Sequence, residues 1–272
     1  MHQTAPYAMF SRQEMSRRYD KARELMRRRQ LDALLITGDE NFQYFAGTSA
    51  SLALHCSLSR PSVFILPTMG EPIILTQSKS YIIDSTYVSD IREYFDVLAF
   101  PPALVVEALK DVRLHHHRLG VELGREQRMG IPVGAYLALV DALPRLQFMD
   151  AADVIIRCRM VKSSEELAYI KQAADVTARA RQRLFSGGVT PGMTERDVAR
   201  TIGRLILEEG GDRTAFPAAR INSTASDPCR RGRSSPSTPG PTSRCTRSTT
   251  RAWPRSARRP SSRRRFTGWC RR

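Results

Sequence analysis

A break in composition just after Phe216 constrains this 272-residue chain more than any motif within it. Residues 217–272 carry 15 Arg, no Lys and a single acid, Asp227, whereas residues 1–216 hold 28 basic and 26 acidic side chains. Of the formal charge of +16, the tail therefore supplies +14. The same tail contains no Leu, Val or Met. A segment with so little apolar surface and so much charge of one sign cannot bury enough area to offset the entropy of ordering, so a disordered tail is expected. Any core has to be built from residues 1–216. A basic balance ordinarily points to nucleic acid or a membrane surface as partner, but here that balance describes the tail and not the nearly neutral body.

A body of this length suffices for one complete domain plus part of another. No apolar run approaches the roughly 18–20 residues that cross a bilayer, and the opening MHQTAPYAMFSRQEMSRRYD lacks the apolar stretch of a secretory signal, so a cytoplasmic protein without membrane partners is expected. Five Cys, an odd number with no C-x-x-C pair, agree with that compartment. Cys56 and Cys158 read as free thiols, and Cys229, Cys245 and Cys270 fall in the tail.

Along the body, Met15, Tyr19, Ala22, Leu25 and Met26 fall on one face of a polar helix from Ser11 to about Gln30. LDALLIT (31–37) reads as a buried strand, followed by GDENFQYFAGT as a loop or short helix. PSVFILP (61–67) and EPIILT (71–76), separated by Thr68-Met69-Gly70, read as a hairpin. Residues 90–100 and 118–123 are further strand candidates, with helices at about 102–112 and 132–143, each opened by a proline. Strands alternating with helices make residues 1–152 an α/β domain.

The segment that follows is helical. Ser163-x-x-Glu166 is a capping box ahead of Leu167, Ile170, Ala174, Thr177 and Leu184 near helical spacing, with Gly187-Gly188 as the stop. Thr194-x-x-Asp197 opens a second helix whose Val198, Ile202, Leu205 and Ile206 face inward. Residues 153–216 thus read as the first helices of an incomplete α+β domain. With no sheet to pack on, those four side chains are expected to lie exposed and to promote aggregation.

Three stretches carry a family resemblance: Asn41-x-x-Tyr44-Phe45-x-Gly47; Arg159-Met160-Val161-Lys162-Ser163-x-Glu165-Glu166-Leu167 through Ala173-Ala174; and Gly188-Val189-Thr190-Pro191-Gly192-Met193-Thr194-Glu195. In their order and spacing the chain resembles the aminopeptidase P, prolidase and creatinase family, which joins an N-terminal α/β domain to a C-terminal "pita-bread" catalytic domain. The resemblance implies a Xaa-Pro aminopeptidase or related C–N hydrolase acting on a peptide or small-molecule substrate, and a homodimer formed through the N-terminal domain. It also implies two divalent, Mn-like metals held by two Asp, one His and two Glu of the C-terminal domain. Hard carboxylate oxygens suit such ions, which activate a water and polarise the scissile carbonyl. None of those ligand motifs is readable in this chain, so it is expected to bind no metal, to contain no catalytic residue and to be inactive as written.

Two readings of the tail compete. One is a genuine Arg-rich extension, in which fifteen arginines with Trp253, Phe266 and Trp269 bind nucleic acid beside a non-enzymatic dimerisation domain. The other is a shifted reading frame. An amino acid largely fixes the first two bases of its codon; prefixing them with the last base of the preceding codon leaves only a few residues possible in the alternative frame. Ser234-Ser235-Pro236-Ser237-Thr238-Pro239-Gly240-Pro241 then permits Val-Val-Ala-Val-Asp-Thr-Gly-Ala, the form of the family's first metal-ligand strand. Thr246, Thr249, Arg251 and Ala252 permit Tyr, Asp, Thr and Arg in the family's Tyr-x-x-Asp-x-Thr-Arg, and Ala257 permits the Gly beyond it. Positions 238 and 249 are eleven apart, the separation of the two Asp ligands in the family. Cys245 departs from the pattern, permitting Leu, Met or Val where the family usually has Gly. The slip falls between Pro217 and Arg231.

Other candidate sites have simpler readings. His115-His116-His117 cannot all face one ion from a short loop and reads as a solvated turn. Asp39 and Glu40 belong to a GDEN turn. Arg17 and Arg18 read as the solvated face of the first helix, and Arg27–Arg29 as its end, complementing the helix dipole. His55 and Arg60 precede the PSVFILP strand; by the family resemblance, this region of one subunit approaches the neighbour's site. The fork of Arg60 is then a candidate for binding a substrate carboxylate in trans. Read in the shifted frame, the gene is expected to run on into the His and Glu ligands; a stop codon within the next few positions would remove that reading.

Overall fold

The computed structural model describes residues 5–48, 61–96 and 99–212. The chain divides into two compact units, Met1–Lys171 and Gln172–Arg272.

In the first unit, α1 (Arg12–Arg28) is followed by β1 (Ala33–Ile36), α2 (Asp39–Ala46), the β2–β3 hairpin (Val63–Pro67, Ile73–Thr76) and β4 (Asp90–Glu93). Then come α3 (Pro102–Asp111), β5 (Arg118–Val121), α4 (Val133–Ala142), β6 (Gln147–Asp150), α5 (Ala152–Met160) and the start of α6 (Ser164–Arg183). The strands form one sheet in the order β4-β3-β2-β1-β5-β6. The central hairpin partners are antiparallel, with Leu34 opposite Leu66 and Phe64 opposite Ile74. The outer pairs β1–β5, β3–β4 and β5–β6 are parallel.

Every residue of β1, β2 and β3 is buried, as a strand covered on both faces requires. Alternation then splits each strand between two cores. Leu34, Ile36 and Phe64 pack with Met26 of α1, Phe45 of α2 and Ile155 of α5. Ala33, Leu35 and Ile65 pack with Leu109 of α3 and Leu139 of α4 on the opposite face. The expected α/β architecture, its hairpin and both proline-opened helices are present.

Two details differ from the sequence reading, and a third resolves an alternative within it. The strand expected over 90–100 is only four residues long: Tyr94 gives its N–H to Thr76 O and turns its hydroxyl to Pro61 O at 2.6 Å, while residues 97–98 lie outside the described part. The strand β6 was not anticipated, because its four residues are exposed or half-buried and show no apolar period; parallel pairing with β5 creates it. The segment left as loop or short helix is the helix α2. It ends because Gly47 adopts a left-handed φ of 74° and gives its N–H to Gln43 O, a helix stop that favours glycine.

In the second unit, α6 ends in a π-turn at Leu184–Gly188, where Gly187 has φ 149°, and α7 follows (Glu195–Glu208). Thr194 and Asp197 cap α7 reciprocally, as their spacing predicts. Of the α6 residues expected at helical spacing, Leu184 is buried but Leu167 and Ile170 are more than half exposed; Val176 and Ala180 are buried instead. Nor are the apolar residues of α7 left bare. Ile202 and Leu205 are buried in a cluster with Ala180 and Leu184, and Val198 and Ile206 pack on its margin. The two helices of this hairpin cover each other, and Arg179 and Arg183 tie it further to Glu209 and Glu208. Among the described residues no helix is long and apolar enough to cross a membrane. The tail lies outside them.

A side chain at Gly47 would meet both the unfavourable φ and the Met15 side chain at 3.2 Å. Gly47→Ala should therefore lower the unfolding free energy by about 1–2 kcal/mol in urea titration; an unchanged midpoint would show that the turn is not required.

Candidate functional site

Polar residues of the first two resemblance motifs, Asn41, Tyr44, Arg159 and Glu166, join two buried networks in the first unit. The first sits where the parallel strands β1 and β5 end, the position at which open α/β sheets commonly place their ligands. Glu122, just past β5 and 2% exposed, accepts from Thr37 N at 2.7 Å, Thr37 Oγ1 at 2.8 Å and Gly38 N at 2.8 Å. Its other oxygen accepts from Asn41 Nδ2 at 2.5 Å. Asn41 also donates to Gln127 Oε1 and accepts from Arg159 Nη1 at 2.6 Å. The first and second motifs thus meet through Asn41 and Arg159. The corner is tightly filled: a Cβ on Gly130 would lie 1.9 Å from Thr37 O, and one on Gly38 2.9 Å from Glu122 Oε1. A carboxylate with four donors, in a corner without space, holds loop to strand.

The second network centres on Arg18, 1% exposed. The sequence reading placed Arg18 on the solvated face of α1, and the structure corrects this. Its guanidinium lies between the rings of Phe10 and Tyr44, at 4.0 and 4.3 Å from their centroids. Nε donates to Glu14 Oε1 at 2.8 Å, Nη1 to Tyr44 O at 2.8 Å and Nη2 to Glu166 Oε1 at 3.2 Å. Glu166 in turn closes the capping box of α6 with Ser163. Arg17 is partly exposed and forks onto Glu14 at 2.7 Å. Burial would raise the Glu14 carboxyl, but hydrogen bonds from Arg17 and Arg18, with their charges, outweigh it and hold the pKa at about 2. Burial, reinforced by the Glu166 charge, pushes Tyr44 up to about 12, so its hydroxyl stays a donor, to Cys158 O at 2.9 Å. Burial likewise raises the Cys158 thiol to about 11, leaving it unreactive at neutral pH.

Neither Glu122 nor Arg18 was picked out from the sequence. Arg18 was in principle legible, since it falls three residues after Met15 and four before Ala22, in phase with the buried stripe. Glu122 shows only as an acid at the end of an apolar strand.

The sequence-based candidates do not join these networks. His55 and Arg60 lie outside the described residues. Asp39 and Glu40 form the first turn of α2, with Glu40 exposed and 4.0 Å from Arg128. The three histidines occupy the turn before β5, the rings of His115 and His116 4.0 Å apart and His117 Nδ1 3.5 Å from Asp32. Among the described residues no group of three or more His, Cys, Asp or Glu could hold a metal ion. Among the described residues, then, no donor set fits the two metals that the resemblance implies.

The depressed Glu14 value fixes a pH dependence. Its folded pKa lies below the ordinary 4.5, so the stability it contributes, about 2–3 kcal/mol, is complete above roughly pH 5 and lost as pH falls toward 2. Glu14→Gln should be less stable at pH 7, because Arg18 loses its partner, and should show a flatter acid limb in unfolding free energy between pH 5 and 2. Parallel limbs in the two proteins would refute the assignment.

Residues 18–161 match the model of the Creatinase/Prolidase N-terminal domain. The Xaa-Pro dipeptidase of Pyrococcus horikoshii is 24% identical over 204 residues, 74% of this chain and 51% of that protein. Among solved structures, the prolidase of Thermococcus sibiricus superposes with a TM-score of 0.62 at 22% identity, covering 75% of this chain and 52% of its own. Dipeptidase PepE of Mycobacterium ulcerans gives 0.60 at 26% identity, covering 76% and 53%. The chain spans about half the length of the relatives it matches. With a family model covering more than half of its residues and the fold to match, this chain belongs to the creatinase/prolidase N-terminal domain family.

Proposed function

We propose that this chain carries the N-terminal half of a metal-dependent Xaa-Pro peptidase or related C–N hydrolase, and that its tail is an out-of-frame translation of the catalytic half. On this reading residues 1–152 are the N-terminal domain, residues 153–216 begin the catalytic domain, and the chain as written is not a catalyst. The observation that carries the proposal is the string 234–252, whose alternative frame permits both Asp-containing ligand motifs at the family's spacing. It stands in a chain whose residues 18–161 match the family. The buried polar groups of the first unit support a structural role for it: they are absorbed in holding helices and loops.

In the intact parent, two Mn-like ions would supply the activated water and polarise the scissile carbonyl. The N-terminal domain would pair two subunits, and Arg60 of one would hold the substrate carboxylate in the other, where a planar fork binds two oxygens at once.

Genomic DNA across codons 215–235 should reveal a gained or lost base. Protein expressed from the restored frame should hydrolyse Xaa-Pro dipeptides in the presence of Mn²⁺, while the chain as written gives only the background rate. An unbroken frame, or turnover by the chain as written, would overturn the proposal.

A further inference from the structure

The first two turns of α6 are held to the body without an apolar anchor. The buried residues of this helix before its terminal π-turn are Val176 and Ala180, both beyond Lys171, where the first unit ends. Between Ser164 and Lys171 no side chain is fully buried, and Leu167 and Ile170 are more than half exposed. Contacts from the N-terminal segment hold this stretch instead. Ser11 donates to Glu165 from both its N–H, at 3.0 Å, and its hydroxyl. The Tyr169 hydroxyl donates to Met9 O at 2.6 Å. The Phe10 ring meets Tyr169 edge-on at 5.3 Å while its face covers the Arg18 guanidinium, and Arg18 reaches Glu166.

We infer that Met9, Phe10 and Ser11 form a strap, with Arg18 as its fixed post, that sets whether the start of α6 is docked or released. The post does not depend on the strap. With Glu166 and Phe10 withdrawn, Arg18 keeps Glu14, the Tyr44 carbonyl and the Tyr44 ring, so its charge stays paired. Release therefore costs a few polar and ring contacts and exposes no core, the signature of a local opening distinct from global unfolding. The strap acts on the helix by which the chain passes from its first unit to its second.

Hydrogen exchange on the full chain tests this directly. Phe10→Ala should speed exchange of the amides of residues 163–171 by roughly tenfold, the scale of a lost cation–π and edge-on ring contact, while amides of β1 and β2 keep their rates. Tyr169→Phe, which removes only the hydroxyl bond to Met9, should produce a smaller change confined to the same residues. Unchanged rates at 163–171 in both variants would overturn the inference. So would equal acceleration at 163–171 and in β1 and β2, which would mean that the segment opens only when the whole unit unfolds.

Discussion

A guanidinium withdrawn almost completely from water has to be matched on every side, and Arg18 imposes that demand on four parts of the first unit. An isolated buried charge costs several kcal/mol, so the carboxylate, carbonyl and ring partners must arrive together. Glu14 comes from the same helix one turn earlier, Tyr44 supplies a carbonyl and a ring from α2, Phe10 a second ring, and Glu166 a carboxylate from 148 residues away. Because Glu14 and Tyr44 come from α1 and α2, the ion acts as a check on how those helices meet, and Glu166 adds the start of α6 when that helix is docked. The same carboxylate of Glu166 caps α6, so one side chain serves both the helix start and the guanidinium.

The two polar networks explain why the resemblance motifs have their spacings. Asn41 and Tyr44 lie three apart on α2, on adjacent turns of one face, yet they serve different networks: Asn41 joins Glu122 and Arg159, Tyr44 joins Arg18 and the Cys158 carbonyl. Phe45 points into the core, and Gly47 ends the helix. The second motif answers from the other side, with Arg159 reaching Asn41 and Glu166 reaching Arg18. What read in the sequence as a family fingerprint is, in the fold, a set of stitches between α2, α5 and α6.

That is also where sequence reasoning ran short. The buried strands were legible because β1 to β3 are uninterrupted apolar runs bounded by turn residues. The capping boxes at Ser163 and Thr194 were legible because the bonds that define them are local. Arg18 was misread because a charged side chain on a polar helix is ordinarily solvated, and only partners distant in sequence make it otherwise. β6 was missed for the same kind of reason: QFMD has no period of its own and is a strand because β5 lies beside it. For α6 the sequence reading found Leu184 but not Val176 and Ala180, since Leu167 and Ile170 satisfy helical spacing equally well. Arg60, offered for a role in trans, belongs to a segment outside the described residues and stays a proposal.

The two cores close before the composition breaks. The buried members of both end at Cys158, and the partners of Arg18 and Glu122 all precede Lys171. Among the described residues, the small cluster of the second unit reaches as far as Ile206. A change of frame after Phe216 would therefore remove chemistry without removing the packing of what precedes it. The described part of the first unit thus packs through side chains that all precede the break in composition.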